Sequence, residues 1–202
     1  MTLIAVLAVA AAWYLLRRPG AGASAAARAR QLRRAHNSTA DQWESGAVGE
    51  RRTAAHLAPM YLRLWWVLHD RRLPTGRANV DHVVITLLGV IFVIDTKRWS
   101  SQHPVSARGR RLFHGNWDVT DRLRGLHHEA RTVAAVLGRP VIPIVAMDGP
   151  HVDGGELVID GIRIVQADRL IPVLRILGRR FRGFGPLIGW RATRLLKPYG
   201  RK

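Results

Sequence analysis

Hydrophobic and polar positions follow several distinct rhythms along this chain. Residues 3–16 form an unbroken apolar run, closed at once by Arg17 and Arg18. Over residues 45–58 the apolar spacing becomes three and four, which predicts a helix with Ala47, Glu50, Ala54 and Leu57 on one stripe. Residues 79–86 and 90–99 are rich in Val and Ile and predict two strands joined across Leu87, Leu88 and Gly89. Residues 105–115 predict a hairpin turning at Gly109. A second helix is predicted from the 118–120 cap region to Gly138, then a buried strand over 141–147. Residues 157–165 repeat that strand character, and 167–178 predict a last helix. Strands that first pair and then alternate with helices predict an α/β domain built on a mixed sheet.

The opening run is short for a membrane span. As a helix its 14 residues reach roughly 21 Å against a hydrocarbon core of about 30 Å. Arginine stems and local bilayer thinning cover that difference. The readings are an uncleaved anchor, a signal peptide cleaved at the small residues of 20–23, and a mis-assigned start or a soluble helix. The run has no positive residues before it and two behind it, which favours a single-pass anchor with the remaining chain on the cytoplasmic side. The expected organisation is then an anchor helix at 1–18, a basic Ala/Arg-rich linker at 19–44, a folded domain at 45–178 and a basic tail at 179–202. At 202 residues the chain is sized for one domain with short additions.

Composition narrows the chemistry. There is no cysteine, which excludes disulfides, thiolate zinc sites and a thiol nucleophile. Thirty-two Lys and Arg against 14 Asp and Glu give a formal charge of +18. Such a chain suits a polyanion, either nucleic acid or an anionic bilayer. Beyond Leu170 the sequence holds nine Lys and Arg and no acid, and reads as a solvated basic arm or a surface-binding appendage.

The strand at 90–99 carries the most specific signal. Ile91, Val93, Asp95 and Lys97 alternate onto one face and Phe92, Ile94 and Thr96 onto the other. Both faces are apolar up to Asp95, as in a central strand covered on both sides. An acid and an amine then emerge two residues apart. If the preceding turn centres on Leu88, facing residues sum to 176 and Asp81 opposes Asp95. Opposed carboxylates repel unless a cation lies between them, and a hard ion such as Mg²⁺ removes that cost. The alternative is a structural ion pair of one aspartate with Lys97 and a solvated second aspartate. Glu50 lies on the helical stripe that should face the sheet, with Gly46 and Gly49 allowing close approach. Its plainer alternative is pairing with Arg51 or Arg52.

These residues carry a resemblance. Gly46-x-x-Gly-Glu50, then Val80-Asp-His-Val-Val, then Gly89-Val-Ile-Phe-Val-Ile-Asp-Thr-Lys97 resembles the nuclease-related domain (NERD) family, itself similar to PD-(D/E)xK restriction-endonuclease-like nucleases. The likeness spans roughly residues 45–165. It implies an αβββαβ core with a mixed sheet. It also implies that Asp81, Asp95 and Glu50 bind Mg²⁺ (or Mn²⁺) and that Lys97 orients the attacking water. The related nucleases often carry a glutamine in the helix after the sheet. Residues 122–135 contain none, which leaves two alternatives, substitution by His127 or His128 and a partly degraded site.

Other features are weaker. His82 alternates away from Asp81 and is expected to pack on the far face. The remaining histidines show no zinc spacing, and no Walker or dinucleotide loop occurs. Arg108, Arg110 and Arg111 flank the hairpin turn and are candidates for tracking a phosphodiester backbone. The expected function is metal-dependent hydrolysis of nucleic acid, DNA before RNA, at a membrane. The rival is a non-catalytic nucleic-acid-binding or membrane-surface scaffold with a nuclease-like fold. The sequence sets no oligomeric state.

Overall fold

A computed structural model of the chain describes residues 25–29, 40–74 and 78–199. The expected anchor at 1–18 lies outside the described residues, as do 19–24 and 30–39 of the linker. No helix among the described residues is long and apolar enough to cross a membrane.

The first long helix, α1 (Ala40–Leu57), starts five residues earlier than its apolar pattern indicates. Ala47, Glu50, Thr53 and Leu57 make its buried stripe. A 3₁₀ turn follows (Ala58–Arg63), and Leu64 reverses the chain in a left-handed conformation. Three antiparallel strands come next: β1 (Trp66–Arg72), β2 (Asn79–Ile85) and β3 (Ile91–Arg98). The hairpin β4 (Val105–Arg108) and β5 (Arg111–His114) extends to a short β6 (Trp117–Asp118), and these form a separate small sheet. Helix α2 (Arg124–Leu137) ends at Gly138, whose left-handed backbone closes it. Then β7 (Ile142–Asp148) pairs parallel to β3, and β9 (Ile162–Gln166) parallel to β7.

Residues 157–165, which read as a single strand, are two: β8 (Glu156–Ile159) and β9 turn on Asp160 and Gly161, both with positive φ. The main sheet therefore runs β1-β2-β3-β7-β9-β8, a mixed sheet with β3 inside it. Strand β1 carried no strand signal, because His69-Asp70-Arg71 interrupts its apolar residues; all three are nevertheless buried.

Each face of the sheet has its own core. On one, Val83, Ile85, Ile91 and Val93 meet Leu126, Val133 and Leu137 of α2. On the other, Val84, Phe92 and Ile94 meet Leu57 of α1 and Leu170 and Leu174 of α3 (Leu170–Leu177). Residues 179–199 are not a solvated arm. They fold back as α4 (Gly185–Leu195), burying Ile188 and Ala192 in the first core. A side chain at Gly189 would overlap the Trp66 indole, so glycine is what lets α4 lie against β1. Past α4, Arg72 N–H donates to Lys197 O at 2.9 Å and Tyr199 N–H to Asp70 O at 3.0 Å, stitching the described C-terminal residues to β1.

Candidate active site

The β2–β3 ladder pairs His82 with Ile94, Val83 with Val93, Val84 with Phe92 and Ile85 with Ile91, the register that sums to 176. The ladder stops there, one pair short of Asp81 and Asp95. Alternation from Val83 and Val93 carries both aspartates onto one face. In place of a further backbone bond, Thr96 N–H donates to Asp81 Oδ2 at 2.9 Å. The two strands thus part where their acidic residues begin.

Asp95 is buried, and Lys97 lies two residues on along the same face. The Lys97 ammonium straddles the carboxylate, 3.0 Å from Oδ1 and 2.6 Å from Oδ2. Only the Oδ1 contact has hydrogen-bond geometry, so Oδ2 is buried without a directed partner. Burial pulls the Lys97 pKa down. The charge and hydrogen bond of Asp95, with Asp81 and Glu129 behind, more than offset that and raise it.

Glu50 enters from α1, on the opposite side of the sheet from α2. A Cβ on Gly49 would stand 3.2 Å from both Arg98 Cβ and Thr96 Cγ2, so the helix touches β3 there; Gly46 has nothing within 4 Å and plays no such part. Glu50 is 7% exposed, and its Oε2 accepts no hydrogen bond. The pairing with Arg52 considered from the sequence is absent: Arg52 reaches Asp148 at 3.4 Å instead. Burial, then the charges of Asp70 and Asp95, push the Glu50 carboxyl up to about 7, against opposing pulls from Arg51 and Lys97. Asp81 is raised well above the ordinary carboxyl value by burial, then by Glu50, Asp95 and Glu129, with the Thr96 N–H working the other way.

Two acids of this cluster were not read from the sequence. Glu129, on α2, is pushed up to about 8 by burial and then by Asp95, with Lys97 opposing. It occupies the helix where a glutamine or a histidine was sought, whereas His128 is exposed and His127 half-buried. The signal was available, because Glu129 adjoins the buried 126-130-133-137 stripe. Asp70, fully buried in β1 with φ 49°, accepts from Asn79 Nδ2 at 3.1 Å and adds its charge at Glu50.

Hard carboxylate oxygens, two of them buried without a directed partner, fit a hard divalent cation such as Mg²⁺ better than any softer ion. The set is not gathered for it: among the described residues no three His, Asp or Glu side chains are grouped so as to hold a metal ion. Asp81 is engaged by Thr96 and Asp95 by Lys97.

A cleft of about 610 Å³ opens at the end of β3, lined by Ser45 of α1, by Arg98, Trp99 and Ser100 directly after Lys97, by His114 and Val119, and by Arg122. The arginines expected to track a backbone are elsewhere, on the small sheet. Arg110 is paired with Asp160 and Arg111 with Asp118, while Arg108 stacks 4.4 Å over the Phe113 ring. His82 lies on the far face as alternation required, its Nδ1 2.8 Å from His69 Nδ1, in a chain that reaches Tyr61. Burial first, then His69, holds its pKa well below the ordinary imidazole value.

Comparison with curated proteins and with solved structures gives no match. A family profile described as nuclease-related domain matches residues 45–147, from the start of the buried α1 stripe through β7. That stretch is half of the chain and contains all five of Glu50, Asp81, Asp95, Lys97 and Glu129, and on this match the chain belongs to the nuclease-related domain (NERD) family.

Proposed function

We propose that this chain hydrolyses phosphodiester bonds of nucleic acid, DNA in the first place, using a divalent metal such as Mg²⁺ or Mn²⁺ held by Asp81, Asp95 and Glu50. The observation that carries this is that acids from both sides of the sheet lie within reach of one another's charge and of one amine, where β2 and β3 part, and need only draw closer to share a metal ion. Burial first, then mutual repulsion, raises three of those acids. Such a cluster costs folding free energy unless a cation joins it, and perturbed groups gather where chemistry is done. The order of helix, three strands, helix and parallel strand is also that of the PD-(D/E)xK nucleases that the family resembles.

When bound, the metal neutralises phosphate charge and makes a coordinated water more acidic. The chain's own residues do the positioning. Lys97, fixed on Asp95, keeps its charge and can hold the attacking water against the carboxylate. Glu129, neutral below about pH 8, can donate a hydrogen bond to a phosphate oxygen where an ionised carboxylate would repel it. Arg122 lines the neighbouring cleft and suits a flanking phosphate, while Arg98 beside it is already held by Asp148 at 3.7 Å. In the same proposal the apolar run at 3–16 tethers this domain to the cytoplasmic face of a membrane.

Plasmid nicking by the full-length chain is the test. Cleavage with Mg²⁺ or Mn²⁺, none with chelator, and a loss of at least about 100-fold in Asp95→Ala and Lys97→Ala is the expected result. Cleavage that survives both substitutions overturns it. Salt-sensitive DNA binding with no cleavage under either metal would install the scaffold reading instead.

A further inference from the structure

The end of the sheet opposite the acidic cluster has a different character. By strand rise, the Leu87–Leu88 turn lies roughly 20 Å from Asp95. Against this turn the chain after α3 is pinned: Arg182 N–H donates to Leu88 O at 2.7 Å and Gly185 N–H to Leu87 O at 3.0 Å. Phe181, Phe184, Leu187 and Trp190 are each more than half exposed along that segment, and Leu87 and Leu88 are exposed beside them. Trp190 and Leu187 sit three residues apart on α4, on the side away from the buried Ile188, Ala192 and Leu196. Single exposed apolar residues are ordinary, but a run of large ones on folded backbone is not.

The charge around them has one sign. Residues 170–199 hold seven Lys and Arg and no acid. A cleft of about 450 Å³ opens on this end, with Trp65, Leu87 and Leu88 on its apolar side and Arg63, Arg175 and Arg179 around it. Trp190 itself carries Arg194 over its ring at 4.7 Å. Apolar side chains set among arginines, facing outward, match an interface with hydrocarbon below and anionic headgroups beside it. A duplex offers no apolar depth for Phe181, Phe184, Leu187 and Trp190 together, since its phosphate exterior is polar.

We infer that this end of the molecule, built from the β2–β3 turn, the chain after α3 and the outer face of α4, is a docking surface for an anionic bilayer, with lipid phosphates seated in the arginine cleft. This contact is separate from any tether at 3–16. It would turn the acidic cluster away from the membrane and toward the nucleic-acid side.

The chain has no cysteine, so one introduced cysteine carries a unique label. Full-length Leu187→Cys, bearing a polarity-sensitive NBD dye, is mixed with vesicles of 30% phosphatidylserine in phosphatidylcholine, with phosphatidylcholine vesicles, and with duplex DNA alone. Val158→Cys, exposed on edge strand β8, is the control position. The expected result is a blue shift at position 187 with the anionic vesicles only, and none at 158. In Arg175→Ala/Arg179→Ala the vesicle concentration at half-shift should rise roughly 10- to 30-fold. An unshifted label at 187 on a chain that co-sediments with the vesicles overturns the inference, because a tether alone would produce it. An equal shift on phosphatidylcholine vesicles, or a shift on DNA without vesicles, also overturns it.

Discussion

Glu50 shows at the level of one residue why this site needs something it does not itself contain. Its Oε2 is buried and accepts no hydrogen bond, and its carboxyl is pushed from an ordinary 4.5 to about 7. Between those values the unfolded chain has released a proton that the folded chain keeps, so stability falls as pH rises from about 5 to 8. For Glu50 alone that slope amounts to up to about 3 kcal/mol, and Glu129 adds to it in the same direction. Urea unfolding of the metal-free chain should therefore give a lower midpoint at pH 8 than at pH 5.5. Glu50→Gln should recover part of the difference, the rest staying with Glu129 and Asp81, while abolishing cleavage, and an unchanged pH slope in that variant would refute the assignment. Millimolar Mg²⁺ should raise the pH 8 midpoint and do little at pH 5.5, where protons already occupy the carboxyls. The same residues show what could be read beforehand. Asp81, Asp95 and Lys97 follow from strand alternation plus one register, because a period of two leaves little freedom. Glu129 escaped because the expected residue was a glutamine, although its place beside a buried stripe was visible. Asp70 lies in a strand with no pattern, held in a left-handed backbone that only surrounding structure can impose.

Elements set how close the two halves of the site can come. Helix α1 contributes Glu50 only because Gly49 lets it rest on Thr96 and Arg98. Gly46 and Gly49 looked equivalent in sequence, three residues apart on the helix. They are not, since only Gly49 has neighbours at contact distance. Gly49→Val should cost about 1–3 kcal/mol in urea unfolding and depress cleavage further than that loss explains, as Glu50 is lifted away. Gly46→Ala should be neutral or stabilising by up to about 1 kcal/mol, with cleavage unchanged. Similar destabilisation by both would mean that the helix contact is not what positions Glu50. Elements with clean periodicity, β2, β3, α2 and β7, were legible to within a residue or two apart from the 3₁₀ turn that precedes α2. Those resting on tertiary support were not: β1 is held by β2 and by the C-terminal residues, and α4 depends on the close approach at Gly189.

At the scale of the whole molecule, a formal charge of +18 gives every arginine the same weight, and the fold then separates them. Arg110 and Arg111 on the small sheet already have carboxylate partners in Asp160 and Asp118. A phosphate arriving there must displace an existing ion pair, which leaves little net gain. Arg122 lines the cleft at the end of β3 and has no ion-pair partner among the described residues, so a phosphate there releases a counterion from nucleic acid at little cost to the protein. The salt dependence of duplex binding distinguishes the two cases. In Arg122→Ala the slope of log K against log salt should fall by about one, with weaker binding at every sequence tested. In Arg110→Ala the slope should stay as in the parent chain. The opposite pattern, with Arg110 carrying a unit of slope and Arg122 none, would move the nucleic-acid path onto the β4–β5 hairpin. It would then run over the residues that the sequence alone singled out, and away from Arg98 and Arg122 at the end of β3. A hydrolytic centre at Asp95 would lose its substrate path, because the scissile bond must lie where the flanking phosphates are held.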